Sequence, residues 1–324
     1  MTVSRAINNK SNVDENTREI VVAKARSMGY SPNRVAKSLL YSKTYTIGVV
    51  LPEISHSFFP EVVKGIEEVV YRKKYQLFLT NSAEDNRREK NAIETLRSHR
   101  VDGLLISCSQ STTDISYYKK LIKRGLPIVF FDRCVEGIGA SCIKINDFES
   151  SVTLTKHLIS HGYRRIAHLY GPQKISIGRE RLGGFCQAME ESGYEIKKEW
   201  LVESGFKIND GYRAMKVLLE LSPENRPKAV IAVTDPVAFG AINAIHDANL
   251  TVPDDMAVVG FSDDVKAALI NPPLTTILQP GYEMGMRAAR KLIDTIESNH
   301  EPVETIEIMT SLVVRRSCGT KRVS

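Results

Sequence analysis

The stretch 164–171, RRIAHLYG, is where an alternation of short apolar runs and amphipathic segments begins for the second time. A helical pattern over 181–191 follows, then WLVESG (200–205), a helical pattern over 212–221, AVIAVTD (229–235) and MAVVGFSD (256–263). Upstream lies a first series of the same kind: YTIGVVLP (45–52), QLFLTNS (76–82), DGLLISC (102–108), PIVFFD (127–132) and CIKIN (142–146), with helical patterns over 59–73, 87–99 and 115–124 between them. Near-continuous Val/Ile/Leu runs separated by helices mark parallel sheets covered on both faces. A series that starts twice predicts an α/β protein of two doubly wound parallel-sheet lobes, with ligands at the carboxyl ends of the strands and in the cleft between the lobes. The last helical pattern, 282–296, and a strand-like run over 306–314 are expected to cross back between the lobes. The division predicted is 44–146 with 280–301 for the first lobe and 147–279 with 302–324 for the second.

Residues 1–43 read differently. VSRAIN suits a short helix, Asp14 can cap a second one through Glu19 to Ser27, Gly29 supplies its stop, and Pro32 begins a third helical stretch, NRVAKSLLYSK. This small all-α head carries no strand and little apolar surface, so it is marginal alone. It holds eight basic residues (Arg5, Lys10, Arg18, Lys24, Arg26, Arg34, Lys37, Lys43) against Asp14, Glu15 and Glu19, nearly the whole of the chain's net charge of +6. A basic head on a nearly neutral body points to a polyanion partner.

At 324 residues and 42% hydrophobic, the chain is long enough for more than one core. Five cysteines (Cys108, Cys134, Cys142, Cys186, Cys318) are an odd number in no metal spacing and are expected to be buried thiols in a reducing cytosol. The opening MTVSRAINNKSNVDE has no apolar core of signal-peptide length, and no stretch approaches the roughly 20 apolar residues of a membrane span. A cytoplasmic protein with no membrane partner is expected.

TVSRAIN, VDENTREIV, GYSPNRVAKSL, TIGVVLPEISHSFFPEVVKGIE, RVDGLLI, GRERLGGF and PPLTTILQP together, in this order, resemble segments of the LacI/GalR family of bacterial repressors along essentially the whole chain. The resemblance implies a helix-turn-helix head, a hinge helix, and an effector core similar to periplasmic sugar-binding proteins. It also implies homodimers or tetramers, of which a homodimer is expected because no heptad tail follows Arg316. In that pattern Met1 falls within the recognition helix, so the head reads as incomplete, lacking its first helix and turn. The expectation is that the upstream codons continue the pattern, with a genuinely truncated regulator as the alternative; the alternative function is a cytoplasmic sugar-binding sensor without DNA binding of its own.

For operator DNA the resemblance assigns Thr2, Ser4 and Arg5 to the recognition helix, where hydroxyls and a guanidinium suit base edges and phosphates. It assigns Asn33, Arg34, Ala36, Lys37 and Leu39 to hinge helices entering the minor groove, with Leu39 wedging between base steps and Ala36 allowing close approach. For a small-molecule effector it implies Phe58, Phe59, Asp132, Arg133, Arg181, Phe206, Thr234, Asp235, Ser262 and Asp263, all but Arg181 following predicted strands. Phe58 or Phe206 would cover a sugar's apolar face, and Asp132, Arg181 and Asp235 would bond its hydroxyls. Arg181 is expected to be a surface guanidinium at the cleft edge, whose removal leaves the fold intact. Ile175 stands where some relatives place a polar or basic contact, and Ser262 where an aspartate is frequent. The lost charge favours a carbohydrate over a purine, and Arg133 beside Arg181 leaves a sugar phosphate or sugar acid open.

Catalysis has no residue set to stand on: GxxxxGK[ST], GxSxG and a strand-to-helix GxGxxG are all missing, so no enzyme and no cofactor is expected. His157 and His161 share a helical face, but HLISH lacks the glutamate of HExxH, and no metal is expected.

Overall fold

A computed structural model describes residues 2–7, 13–30, 43–55, 57–298 and 301–319, in two compact units, Met1–Thr44 and Tyr45–Ser324. In the first unit, helix α1 spans Thr2–Ile7 and α2 spans Glu15–Ser27. Asp14 caps α2 by accepting the Thr17 amide at 3.0 Å, and Gly29, at φ +64°, ends it, as the sequence predicts. Among its described residues Ala6 and Val13 are buried, while Val3 and Ile20 remain 57% and 63% exposed. The third helical stretch expected from Pro32 onward falls almost wholly outside the described residues.

The second unit contains two six-stranded sheets. The first is built from β1 (Thr46–Leu51), β2 (Gln76–Asn81), β3 (Gly103–Ile106), β4 (Ile128–Phe131), β5 (Ser141–Ile145) and β11 (Thr305–Ile308), in the order β11-β5-β4-β3-β1-β2, every pair parallel. The second is built from β6 (Ile166–Tyr170), β7 (Leu201–Glu203), β8 (Ala229–Ala232), β9 (Ala257–Ser262), β10 (Thr275–Leu278) and β12 (Ser311–Val313), in the order β12-β10-β9-β8-β6-β7. Only the β10–β12 pair of that sheet is antiparallel. Strand order reverses between β1 and β3 and again between β6 and β8, the switch points where such sheets open a crevice. Strands β1, β3 and β4 bury nearly every residue, as apolar runs in doubly covered sheets must.

Helices α3 (Phe58–Arg72), α4 (Asn86–Ser98) and α5 (Ser116–Lys123) belong with the first sheet. Helices α6 (Asp147–Ser160), α7 (Ser176–Glu191), α8 (Ile208–Leu219) and α9 (Asp235–Asp247) belong with the second. The chain then returns: α10 (Gly281–Glu297) packs on α3 so closely that a Cβ on Gly285 would lie 2.0 Å from the Val62 carbonyl oxygen, and one on Gly65 2.0 Å from that of Tyr282.

Two expectations need correction. The run over 306–314 is not one strand of the second lobe: β11 joins the first sheet beside β5, and the chain changes lobes only at Met309 and Thr310. A continuous β-favouring run carries no mark of which sheet each half will join. The cysteines are not all thiols either, because Cys134 and Cys142 form a disulfide, with Cα atoms 5.9 Å apart. Parallel neighbours normally need a long crossover, but β4 and β5 are joined by residues 132–140 alone, which brings Cys134 back beside the first turn of the next strand. Cys108 and Cys318 are buried thiols as expected, and Cys186 is half-buried. Among the described residues no helix is long and apolar enough to cross a membrane.

Candidate functional site

The carboxyl ends of β1–β4 and of β6–β10 supply the facing walls of a cleft between the lobes. On the first wall Phe58 and Phe59 begin α3. Phe59 turns into the core, with Phe58 edge-to-face against it at 5.1 Å. Asp132 follows β4 in a left-handed conformation, φ +59°, with its amide donating to the Ile143 carbonyl at 2.9 Å. Its carboxylate accepts from the Ser107 hydroxyl at 3.4 Å. Burial pushes this carboxyl up to about 6, Arg133 and Arg181 oppose the shift, and Asp147 adds to it. Asp132 therefore lies in the field of charged groups from both lobes.

Arg133 is nearly buried, and its Nη1 donates to both Glu84 oxygens at 2.8 and 2.9 Å. Its guanidinium lies 4.6 Å from the centre of the Phe206 ring, across the cleft, and its Nε has no hydrogen-bond partner. Glu84 also accepts the Gln110 amide at 2.8 Å.

On the second wall Arg181 is not a surface guanidinium. It is 2% exposed, its Nε and Nη2 both reach Asp147 Oδ1 at 2.7 Å, and its Nη1 donates to the Val233 carbonyl at 2.5 Å. Its face lies 3.5 Å from the centre of the Phe261 ring. The expectation that Arg181 could be removed without harm to the fold fails for that reason: helix α7 turns this residue inward, onto β9 and the first turn of α6. Asp235 is fully buried and accepts from the Thr276 hydroxyl at 2.6 Å and the Asp264 amide at 2.7 Å. Burial pushes its carboxyl up to about 7 against those two hydrogen bonds, and Asp263 and Asp264 raise it further. Thr234 precedes α9 and keeps a buried hydroxyl without a partner. Ser262 turns its hydroxyl onto the Phe261 carbonyl, and Asp263 pairs with Arg315 at 2.8 Å.

Among the described residues, three of the cavities open between the walls. The central one, about 30 Å³, has Phe59, Glu84, Gln110 and Arg133 on one side and Phe206 and Lys207 on the other. A second, about 190 Å³, sets Cys108, Arg133 and Glu136 against Lys174, Ile175 and Arg179. The third, about 340 Å³, is lined by Phe58, Ser262, Asp263, Gln279 and Tyr282 among others. Of the ten residues singled out in the core, Phe58, Phe59, Arg133, Phe206, Ser262 and Asp263 line these spaces, while Asp132, Arg181, Thr234 and Asp235 lie behind them. Sequence reading missed Glu84, Gln110 and Gln279. Glu84 and Gln279 follow β2 and β10, so the strand-end rule could have found them; Gln279 is 7% exposed, with its Nε2 unpartnered.

Of the residues assigned to DNA, Arg5 is exposed on α1, and nothing is described of the side chains of Thr2 and Ser4. Asn33, Arg34, Ala36, Lys37 and Leu39 lie outside the described residues. The rings of His157 and His161 lie tilted with centres 4.3 Å apart, and His157 Nε2 lies 3.3 Å from Cys318 Sγ; among the described residues no group of three or more His, Cys, Asp and Glu could hold a metal.

Residues 1–33 match the model of the bacterial regulatory proteins of the lacI family, and 155–318 match that of a periplasmic binding protein-like domain. The chain is 37% identical over 316 residues to the HTH-type transcriptional repressor PurR of Mannheimia succiniciproducens, covering 98% of this chain and 94% of that one. It is 36% identical to the PurR repressor of Proteus mirabilis, covering 98% and 92%. Among solved structures, the transcriptional regulator CelR–cellobiose complex superposes with a TM-score of 0.77 at 30% identity, covering 98% of this chain and 95% of that one. A LacI family regulator from Enterococcus faecium with bound ribose gives 0.73 at 27% identity, covering 84% and 98%. Two doubly wound lobes behind a small helical head, matched over nearly their whole length by repressors, make this chain a member of the LacI family of DNA-binding transcriptional regulators.

Proposed function

We propose that the chain is a cytoplasmic, homodimeric repressor whose affinity for operator DNA is set by a neutral polyhydroxylated molecule, a sugar or sugar derivative, held between the lobes. The observation that carries this reading is that the buried guanidinium lining the central cavity is neutralised within the protein, Arg133 pairing with Glu84 and lying 3.8 Å from Asp132, while Arg181 behind the cavities pairs with Asp147. A ligand there needs no negative charge; it needs hydroxyls for the polar groups and a flat face for Phe206 or Phe58. The buried, apolar Ile175 and Ile177 at the start of α7 give a purine's ring edges nothing to bond. Solved relatives in complex with cellobiose and with ribose agree with this chemistry.

A central cavity of about 30 Å³ holds about one water, far below the usual ligand volume. Ligand entry therefore separates Arg133 from Phe206, and the change in lobe angle alters how a dimer presents its two heads to paired half-sites. For the second copy, Val265 and Leu269 offer apolar surface that is 66% and 81% exposed. No reaction step is assigned to the cleft. The test is a thermal-shift and calorimetry panel of ribose, cellobiose, ribose 5-phosphate and hypoxanthine: stabilisation by neutral sugars supports the reading, and a response confined to the phosphate or the purine overturns it.

For the DNA side, Leu39→Ala is expected to weaken operator binding far more than binding to random DNA, because a wedge acts only where the duplex is kinked. Lys37→Ala lowers both affinities and flattens the salt dependence by about one counterion. Arg5, with Thr2 and Ser4, reads the major groove in this proposal. Equal losses on both DNAs for Leu39→Ala would reduce the segment to a tether.

A further inference from the structure

The Cys134–Cys142 disulfide lies in the wall of the cleft itself. Cys134 is half-exposed, directly follows Arg133, and lines the 190 Å³ cavity; Cys142 is buried in β5. The nine residues between β4 and β5 contain two glycines in left-handed conformation, Gly137 at φ +69° and Gly139 at φ +79°. Within that loop Glu136 accepts from Lys144 at 3.2 Å, and Lys144 reaches across to Glu180 of the second lobe at 3.5 Å. Glycine-rich backbone resists shape changes poorly, and apart from the disulfide the loop is anchored by Ile138 in the core, with Val135 and Ala140 half-buried against it. The disulfide thus ties down the loop that carries Arg133, which meets Phe206 of the opposite lobe, and Glu136, which shares Lys144 of β5 with Glu180 of that lobe.

We propose that Cys134 and Cys142 form a thiol–disulfide switch that couples the redox state of the surroundings to closure of the cleft. The inference rests on the cytoplasmic reading above, since disulfides in that compartment are commonly transient and redox-sensing. A low-molecular-weight thiolate attacks Cys134 Sγ, the accessible sulfur; the Cys134–Cys142 bond breaks and Cys142 leaves as a thiolate that takes a proton. A second thiolate attacks the mixed disulfide, Cys134 leaves as a thiol, and the two small thiols depart as their own disulfide, two electrons having passed to the protein. Reduction frees the loop, loosens the Arg133 and Glu136 contacts and favours the open cleft. By linkage, any ligand that binds the closed cleft better also favours the oxidised pair.

The test uses the full chain, without ligand, in a series of reduced-to-oxidised glutathione ratios. Alkylation and mass spectrometry count the thiols, and hydrogen exchange is followed over 132–145 and, on the opposite wall, over 174–182. The expected result is a transition within the series at which Cys134 and Cys142 become labelled together, with exchange rising roughly tenfold in both segments. Cys134→Ser/Cys142→Ser should show the reduced pattern at every ratio. A pair that stays reduced throughout, or oxidised throughout, overturns the switch, and so does a change confined to 132–145. Since no effector is added, failure here and failure of the sugar panel are separate results.

Discussion

The two walls of the cleft each carry an arginine that the sequence marked for the same task, and the protein uses them differently. Arg133 is held by Glu84 and Asp132 of its own wall, but its open face meets Phe206 of the other lobe and its Nε, 3.8 Å from Asp132 Oδ2, makes no hydrogen bond. Arg181 is enclosed on every side by its own lobe and the chain that enters it: Asp147, the Val233 carbonyl and the Phe261 ring. One guanidinium has a contact that changes when the lobes move; the hydrogen bonds and ring contact of the other all lie within its own lobe. What separates a ligand contact from a structural bolt is the set of groups that already occupy its donors.

The largest effect that could break this contrast is on stability. Arg181→Ala leaves the Asp147 carboxylate buried without its cation, which costs about 3–5 kcal/mol. Replacing both partners, Arg181→Met with Asp147→Leu, should recover much of that loss. Urea unfolding of the three proteins checks it. If Arg181→Ala were as stable as the parent and only ligand binding suffered, Arg181 would belong with Arg133.

That contrast also marks the limit of what was legible in the sequence. The doubly wound lobes could be read because each central strand is an apolar run of its own, such as IVFF in β4, and doubly covered sheets demand such runs. Strand ends then located most of the cleft, since backbone direction alone decides which end of β4 carries Asp132 and Arg133. Burial and partners were not legible. Nothing in GRERLGGF tells that Asp147, 34 residues earlier, will take two of the three donor nitrogens of Arg181. The family resemblance assigned Asp235 to the ligand, and here it joins the segments of β9 and β10 through the Asp264 amide and the Thr276 hydroxyl. Cys134 and Cys142 meet only because the β4–β5 crossover contains no helix, a choice made by tertiary packing.

Asp235 gives the next effect in size. Its carboxyl holds a proton to about pH 7 in the folded protein, against an ordinary value of 3.8 once unfolded. Between those values the folded state binds more protons, so this group's contribution to stability is complete below about pH 4 and is lost as pH rises through 7. The loss is on the order of a few kcal/mol. Asp235→Asn removes the titration, and its stability should fall less steeply over pH 4–7 than that of the parent. Equal slopes in calorimetric scans of the two proteins would show that Asp235 is ionised throughout, and its burial would then need another explanation.

The smallest effect sharpens the role of Arg133. Glu84→Gln keeps the side chain's size and one acceptor oxygen but removes the nearer of the two carboxylates that face the guanidinium, leaving Asp132 at 3.8 Å and a larger net positive charge toward the cleft. A charge-assisted hydrogen bond to an anionic ligand is worth about 1.5–3 kcal/mol. Affinity for ribose 5-phosphate relative to ribose should therefore rise by roughly tenfold or more. The fold should survive, since an amide can still accept from Arg133 and from the Gln110 backbone. The comparison is made by calorimetry at two salt concentrations, because a new ionic contact near the surface weakens with screening. If the preference does not move, the Arg133 guanidinium is as closed to ligands as that of Arg181, and the difference between the two walls disappears.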